Sequence, residues 1–138
     1  MRLFLDANLL FTAAHNPEGR AAALFALARQ GTCVLTSSSH ALEEARRNLA
    51  LKYRPAASAL EGILPDVTIE GEAPPAVVTW ALEQGLPLKD APILAAAVHS
   101  RCDALVTGDR THFGPLYGRS FKGVRVLSPA QALAQVLG

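Results

Sequence analysis

Asp6 and Asp109 each sit just past a short apolar run: Leu3-Phe4-Leu5 for the first, Ala104-Leu105-Val106-Thr107 and Gly108 for the second. Asp90 opens a helical pattern, and Glu43 and Glu44 lie early in another. Carboxylates gathered in one place repel and raise one another's pKa unless a cation neutralises them. Hard divalent ions suit oxygen ligands, and Mg²⁺ typically takes a few carboxylates and keeps several waters. An ion so held activates water and stabilises charge on a phosphodiester, and two ions clamp both attacking and leaving oxygens. The chemistry on offer is therefore hydrolysis at phosphorus, if the fold brings these acids together.

Other chemistries lack their residues. There is no HExxH and no Cys/His cluster for zinc, no GxxxxGK[ST] loop for nucleotide phosphates, and no GxSxG around Ser37, Ser38 or Ser39. Cys33 and Cys102 lie in or beside apolar runs without CxxC spacing, which predicts buried, reduced thiols.

The elements that must position the acids alternate between strand and helix. Leu3–Leu5 reads as a buried strand, Asn8 as the cap of a helix ending near Asn16-Pro17, and Glu18–Gln30 as a second helix stopped by Gly31. Cys33–Thr36 is a strand, and the following serines offer caps for a helix to about Tyr53, with Leu42, Ala45 and Leu49 on its apolar stripe. Pro55 ends it, and a short helix through Leu60 and Leu64 stops before Pro65. Val67–Ile69 is a weaker strand; Val77, Val78, Ala81 and Leu82 mark a helix closed by Gly85 and Pro87. Asp90 is then a favoured N-cap, with Pro92 in the first helical turn. Ala104–Thr107 reads as a strand covered on both faces, Gly114–Lys122 as irregular, Val124–Leu127 as a final strand, and Ser128-Pro129 as the start of a helix to Leu137.

This alternation predicts an α/β domain: a three-layer α/β/α, Rossmann-like arrangement around a central parallel sheet of four to five strands. In such sheets, sites form at the carboxyl ends of strands. The strand assignments alone place Asp6 and Asp109 there. Asp90 starts the helix feeding the strand of Asp109, and Glu43 or Glu44 follows the second strand. Four acids from four segments can converge on one edge.

At 138 residues the chain reads as one domain, residues 1–138, with no repeat or linker to mark a boundary. A formal net charge of +1 supplies no overall basic field to announce nucleic acid. The opening MRLFLDANLLF resembles a secretory leader only superficially, because Asp6 interrupts it and no small-residue cleavage site follows. No stretch is long and apolar enough to span a bilayer. The expected setting is soluble and cytoplasmic.

The chain resembles the PIN domain, a small metal-dependent ribonuclease fold found in VapC-type toxins of toxin–antitoxin pairs and in other RNA-processing proteins. The resemblance rests on Leu3-Phe4-Leu5-Asp6-Ala7-Asn8, Glu44-Ala45-Arg46-Arg47-Asn48-Leu49, Asp90 to Ala97, and Leu105-Val106-Thr107-Gly108-Asp109, in order along nearly the whole chain. Each string is common alone; all four at these separations are fairly specific. The resemblance implies that Asp6, Glu44, Asp90 and Asp109 bind Mg²⁺ or Mn²⁺ and are catalytic, cleaving RNA to leave a 5′-phosphate. It implies that Asn8 and Thr107 support those acids or touch substrate. Helix geometry alone does not choose between Glu43 and Glu44; the family's spacing to Leu49 favours Glu44. His112 stands where many members carry a further acid, which leaves one metal or two open. His112 and Arg110 are candidates for contacting RNA. The resemblance further implies RNA as substrate, an antitoxin protein as partner, and a homodimer.

Bland readings stand beside these. Asp90 can serve only as a cap, Asp109 only as a turn residue, and Glu44 alone is a solvated helix charge. Two other functions share the residues: a PIN-fold binding or assembly module whose acids have lost catalytic use, and a metal-dependent small-molecule phosphatase using Asp6-Ala7-Asn8 as an aspartyl-phosphate loop. The second lacks a lysine in the expected context.

Overall fold

The computed structural model describes every residue, Met1–Gly138. Its sheet is built from β1 (Arg2–Leu5), β2 (Val34–Ser38), β3 (Val67–Glu70), β4 (Ala104–Val106), β5 (Ser120–Phe121) and β6 (Val124–Leu127), in the spatial order β3-β2-β1-β4-β6-β5. All neighbours are parallel except β5, which pairs antiparallel with β6. The helices are α1 (Ala7–His15), α2 (Arg20–Arg29), α3 (Ser39–Lys52), α4 (Ala57–Ile63), α5 (Pro75–Glu83), α6 (Ala91–His99) and α7 (Pro129–Leu137). This is the expected α/β class, with a sixth strand beyond the four or five anticipated.

That strand lies inside the stretch Gly114–Lys122 expected to be irregular. It is two residues long, and Phe121 faces Val124 across Lys122-Gly123. Both turn residues have positive φ, 50° and 85°, which is the signature of a tight type I′ hairpin. Lysine is a poor advertisement for a left-handed position, so the turn is hard to see in sequence.

The sheet order explains where a site must form. From β1 the chain moves outward through β2 to β3, then returns past β1 to β4 and on to β6. Right-handed crossovers require the helices of these opposite movements to lie on opposite faces. The contacts agree: α1 packs on α2, α3 and α4, and α7 packs on α2, while α5 pairs with α6. The direction of winding reverses between β1 and β4. A crevice opens at the carboxyl ends of two strands whose connections diverge.

Apart from Arg2, both strands are fully buried. Leu3, Phe4 and Leu5 of β1, and Ala104, Leu105 and Val106 of β4, are at 0% exposure within one cluster of 40 buried apolar residues. Cys33 and Cys102 are buried and free, as expected. At the opposite end the Asp103 carboxylate accepts from the backbone N–H of Arg2 at 2.7 Å, tying the start of β1 to β4. No helix is long and apolar enough to cross a membrane.

The central position of β1 makes a direct test. Phe4→Ala removes a fully buried ring from the strand that anchors the crevice. Its expected cost is about 3–5 kcal/mol, read as a lower urea midpoint at unchanged slope. An unshifted midpoint would contradict this packing.

Candidate metal centre

The register of β1 on β4 runs Leu3↔Ala104, Phe4↔Leu105, Leu5↔Val106. The next residues along, Asp6 and Thr107, therefore lie side by side where the crevice begins. Asp6 N–H still donates to the carbonyl of Val106, at 3.1 Å. Beyond that the two chains part, and side chains take over the pairing.

Asp6 is 5% exposed. It, rather than Asn8, is the N-cap of α1: its Oδ1 accepts from the N–H of Ala7 at 2.7 Å. Its Oδ2 accepts from the Thr107 hydroxyl at 2.8 Å and from Asn8 Nδ2 at 3.1 Å. Asn8, the second residue of the helix, acts as a strut. Its Nδ2 also reaches Thr107 Oγ1 at 3.2 Å, and its Oδ1 accepts from Gly108 N–H at 2.8 Å. The strut explains the glycine: a Cβ at position 108 would stand 3.3 Å from Asn8 Oδ1, a tight fit. Thr107 Oγ1 in turn accepts from Asp109 N–H at 3.1 Å, and the Tyr117 hydroxyl holds the Thr107 carbonyl at 2.7 Å.

Asp109 closes a local turn. Its Oδ1 accepts from the N–H groups of Thr111 and His112, both at 3.1 Å, leaving Oδ2 to face the imidazole of His112. Asp90 occupies the N-cap position of α6 but caps nothing. The donors it would cap are absent or taken. Ala91 N–H goes to the Pro87 carbonyl, Pro92 has none, and Ile93 N–H goes to Asp90's own carbonyl. The Asp90 carboxylate is thereby free to face the crevice. Its residue is 8% exposed, and its Oδ2 lies 2.8 Å from His112 Nδ1.

Asp6, Glu44, Asp90 and Asp109 line one cleft of ≈ 220 Å³, together with Asn8, Phe11, Asn48, Lys52 and Lys89. Glu43 is exposed and outside it, whereas Glu44 is half-buried and lines it. The two lie about 100° apart around α3, and the α3–α1 packing that apolar spacing alone left open turns Glu44 inward. Of the other candidates, Arg110 is exposed and lies outside the cleft, and His112 is at its edge against Asp90 and Asp109. Asn48, which follows Glu44 at i+4 and so shares its face, also lines the cleft, as do Phe11 and Lys89, and only the folded cleft marks these three as site residues.

Electrostatics records the crowding. Burial, opposed by the hydrogen bonds from Thr107 and Ala7, pushes the Asp6 carboxyl from 3.8 up to about 6, and the charges of Glu44 and Asp90 push the same way. Burial also raises Asp90; His112 and Lys89 pull it back, and Asp109 and Glu44 add to the rise. Asp90 Oδ2 and His112 Nδ1 are buried atoms without a partner in hydrogen-bonding geometry, despite their closeness. An unsatisfied buried oxygen on Asp90, mutually destabilised acids and a cleft with room for a few waters fit a hydrated divalent cation.

Comparison with known proteins now bears on the same residues. The PIN-domain family pattern matches residues 2–111. The chain belongs to the PIN-domain family. No curated protein matches it in sequence. Solved structures share the PIN fold at low identity. PAE2754 from Pyrobaculum aerophilum is 20% identical at TM-score 0.70, covering 99% of this chain and 90% of that one. VapBC2 from Rickettsia felis, solved bound to a DNA fragment from its promoter, is 20% identical at TM-score 0.66, covering 93% and 98%. VapC20 from Mycobacterium tuberculosis, described as a sarcin–ricin loop cleaving toxin, is 17% identical at TM-score 0.59, covering 82% and 94%. The PIN-family match spans Asp6, Glu44, Asp90 and Asp109, and stops one residue short of His112.

A carboxyl whose folded-state pKa is raised stabilises the fold fully below its unfolded value and loses that contribution as pH rises through the folded one. For Asp6 the window runs from 3.8 to about 6. The cost above it is on the order of 3 kcal/mol. In EDTA, Asp6→Asn should therefore gain stability on wild type at pH 8, with the gain fading towards pH 4. Denaturant titrations at both pH values test this; a gap of constant size would mean that Asp6 titrates normally.

Proposed function

We propose that this PIN domain is a Mg²⁺- or Mn²⁺-dependent endoribonuclease. The observation that carries the reading is the convergence of Asp6, Glu44, Asp90 and Asp109 on one small cleft at the sheet's reversal point. These four would hold the cation, which supplies Lewis acidity towards a phosphate oxygen and an activated water. Asn8 and Thr107 fix the rotamer of Asp6. Tyr117 fixes Thr107 from behind, so the acids are set before substrate arrives. Lys52 and Lys89, on the cleft lining, are placed to meet phosphate oxygens of the strand. Cleavage would release the 3′-oxygen and leave a 5′-phosphate.

Room for a polynucleotide supports RNA over a small phosphate ester. A second, larger cavity of ≈ 710 Å³ adjoins the cleft and shares Asn8 and Asp109 with it. Its lining includes Thr12, Asn16 and Arg20, with hydrogen-bonding groups for a nucleotide. A strand crossing the acids would have space on both sides. On the first side, Phe11 stacks with His15 at 5.8 Å and His15 meets Tyr53 at 3.8 Å, offering aromatic surface beside Lys52.

The similarity of the fold to the VapBC and FitAcB structures supports a further reading, that this chain is the toxin of a toxin–antitoxin pair. A small partner gene beside its own, whose product relieves growth arrest on co-expression, is the result that reading requires.

A PIN-fold binding module that needs no metal is the second reading. One observation favours it: His112 Nδ1 lies 2.8 Å from Asp90 Oδ2 and 3.1 Å from Asp109 Oδ2, which gives both acids a neighbour within the chain itself. Calorimetric titration with Mn²⁺ separates the two, since the module gives a silent trace.

The nuclease reading predicts that Asp6→Asn and Asp109→Asn each lower cleavage of a susceptible RNA by at least about 100-fold while the circular dichroism spectrum stays that of wild type. Either purified variant retaining near wild-type activity would remove Asp6 and Asp109 from the mechanism.

A further inference from the structure

The acids of the cleft are not evenly arranged. Ligand atoms of Asp90, Asp109 and His112 all lie within 4.8 Å of one another, whereas Asp6 and Glu44 stand outside that group. The nitrogen is in the tightest part: His112 Nδ1 is 2.8 Å from Asp90 Oδ2 and 3.1 Å from Asp109 Oδ2. Two ligands at right angles around an ion about 2.1 Å away are about 3.0 Å apart. Both observed separations match such an edge.

The relation between these atoms points the same way. Nδ1 and Asp90 Oδ2 are within hydrogen-bond distance and buried from solvent, yet they make no hydrogen bond with each other or with any other group. Two lone-pair donors gathered around a common cation stand in this relation, close and unbonded to one another. Asp90 is 8% exposed, and this oxygen has no other partner. Asp109 is held ready, because the N–H groups of Thr111 and His112 occupy its other oxygen. The second of those bonds also fixes the backbone from which the imidazole projects.

We propose that Nδ1 of His112 is itself a metal ligand, completing a mixed nitrogen–oxygen site with Asp90 Oδ2 and Asp109 Oδ2. The proposal rests on the metal-centre reading above and goes beyond it in adding a nitrogen ligand. An imidazole ligand favours Co²⁺, Ni²⁺ and Zn²⁺, whereas an all-oxygen set suits Mg²⁺. His112 therefore raises the site's affinity for late first-row divalent ions more than its affinity for Mg²⁺.

The test uses the intact protein and reads binding directly. Pulsed electron paramagnetic resonance of the Mn²⁺-loaded wild type should show coupling to an imidazole ¹⁴N, and the His112→Ala protein should lack it. Calorimetry should show Co²⁺ binding the wild type more tightly than Mg²⁺, with His112→Ala losing at least about tenfold in Co²⁺ affinity and much less for Mg²⁺. His112→Asp should shift the preference back towards Mg²⁺. Metal binding without ¹⁴N coupling, or equal Co²⁺ affinity in wild type and a folded His112→Ala, would overturn the histidine ligand and leave a carboxylate centre standing. A wild type that binds no divalent ion at all would remove both readings. The wild-type spectrum decides independently of how well any variant folds.

Discussion

The constraint on which this molecule turns is the desolvation of Asp6. The buried register of β1 on β4 delivers its carboxylate to the one crevice the topology opens, and burial there opposes charge. The protein answers with three hydrogen bonds, from Ala7, Thr107 and Asn8. They do not suffice. Desolvation outweighs them, and Asp6 remains far above the ordinary carboxylate range. The surrounding fold must therefore carry an internal cost at neutral pH. Evolution toward stability alone would replace such a group, because removing a buried charge is often favourable. Its presence makes sense if something absent from the chain completes the neutralisation.

The neutral polar residues around the acids then have a common logic. Each ties one carboxylate to backbone while leaving coordination capacity towards the cleft. Asp109 spends Oδ1 on two backbone N–H groups of its own turn and turns Oδ2 inward. Asp90 is released by the opposite device: the first turn of α6 offers its side chain no free N–H, since Pro92 has none and its neighbours are engaged. Asn8 spans from Asp6 to Gly108 and so couples β1 to the loop after β4, across the divide where main-chain pairing has ended. Rigid positioning is inexpensive here, because the struts are short: Asn8 lies in the first turn of α1 and Thr107 directly after β4.

Much of this was written in the sequence, for identifiable reasons. Short apolar runs ending in an acid, such as Leu3-Phe4-Leu5-Asp6, give both a buried parallel strand and the position of its carboxyl end. The alternation of elements then gives the α/β class. What was illegible depended on contacts between distant segments. Which of Glu43 and Glu44 faces inward is decided by how α3 rolls against α1, which local spacing does not encode. Asn8 looks like a cap, and only the position of Thr107 and Gly108 reveals it as a strut. Asp90 looks like a cap as well, and its freedom follows from a bookkeeping of N–H groups that needs coordinates. The hairpin at Lys122-Gly123 hides behind a residue uncommon at positive φ.

The charge distribution adds a last step. With a formal net charge of +1, the chain has no general field to draw a polyanion from solution. Several basic groups are also engaged elsewhere: Arg46 pairs with Glu61 at 2.7 Å and Arg29 with Asp66 at 2.8 Å. Near the cleft, Lys52 and Lys89 face a ring of acids that outnumbers them. A phosphate approaching the bare cleft is thus repelled at short range and hardly attracted at long range. On the metal-centre reading, a divalent ion reverses the first of these. On the nuclease reading, cation and nucleic acid would then bind with positive coupling, each raising the other's affinity by the same factor. Local hydrogen bonding and stacking, from the larger cavity on one side and Phe11, His15 and Tyr53 on the other, would decide which strand is held.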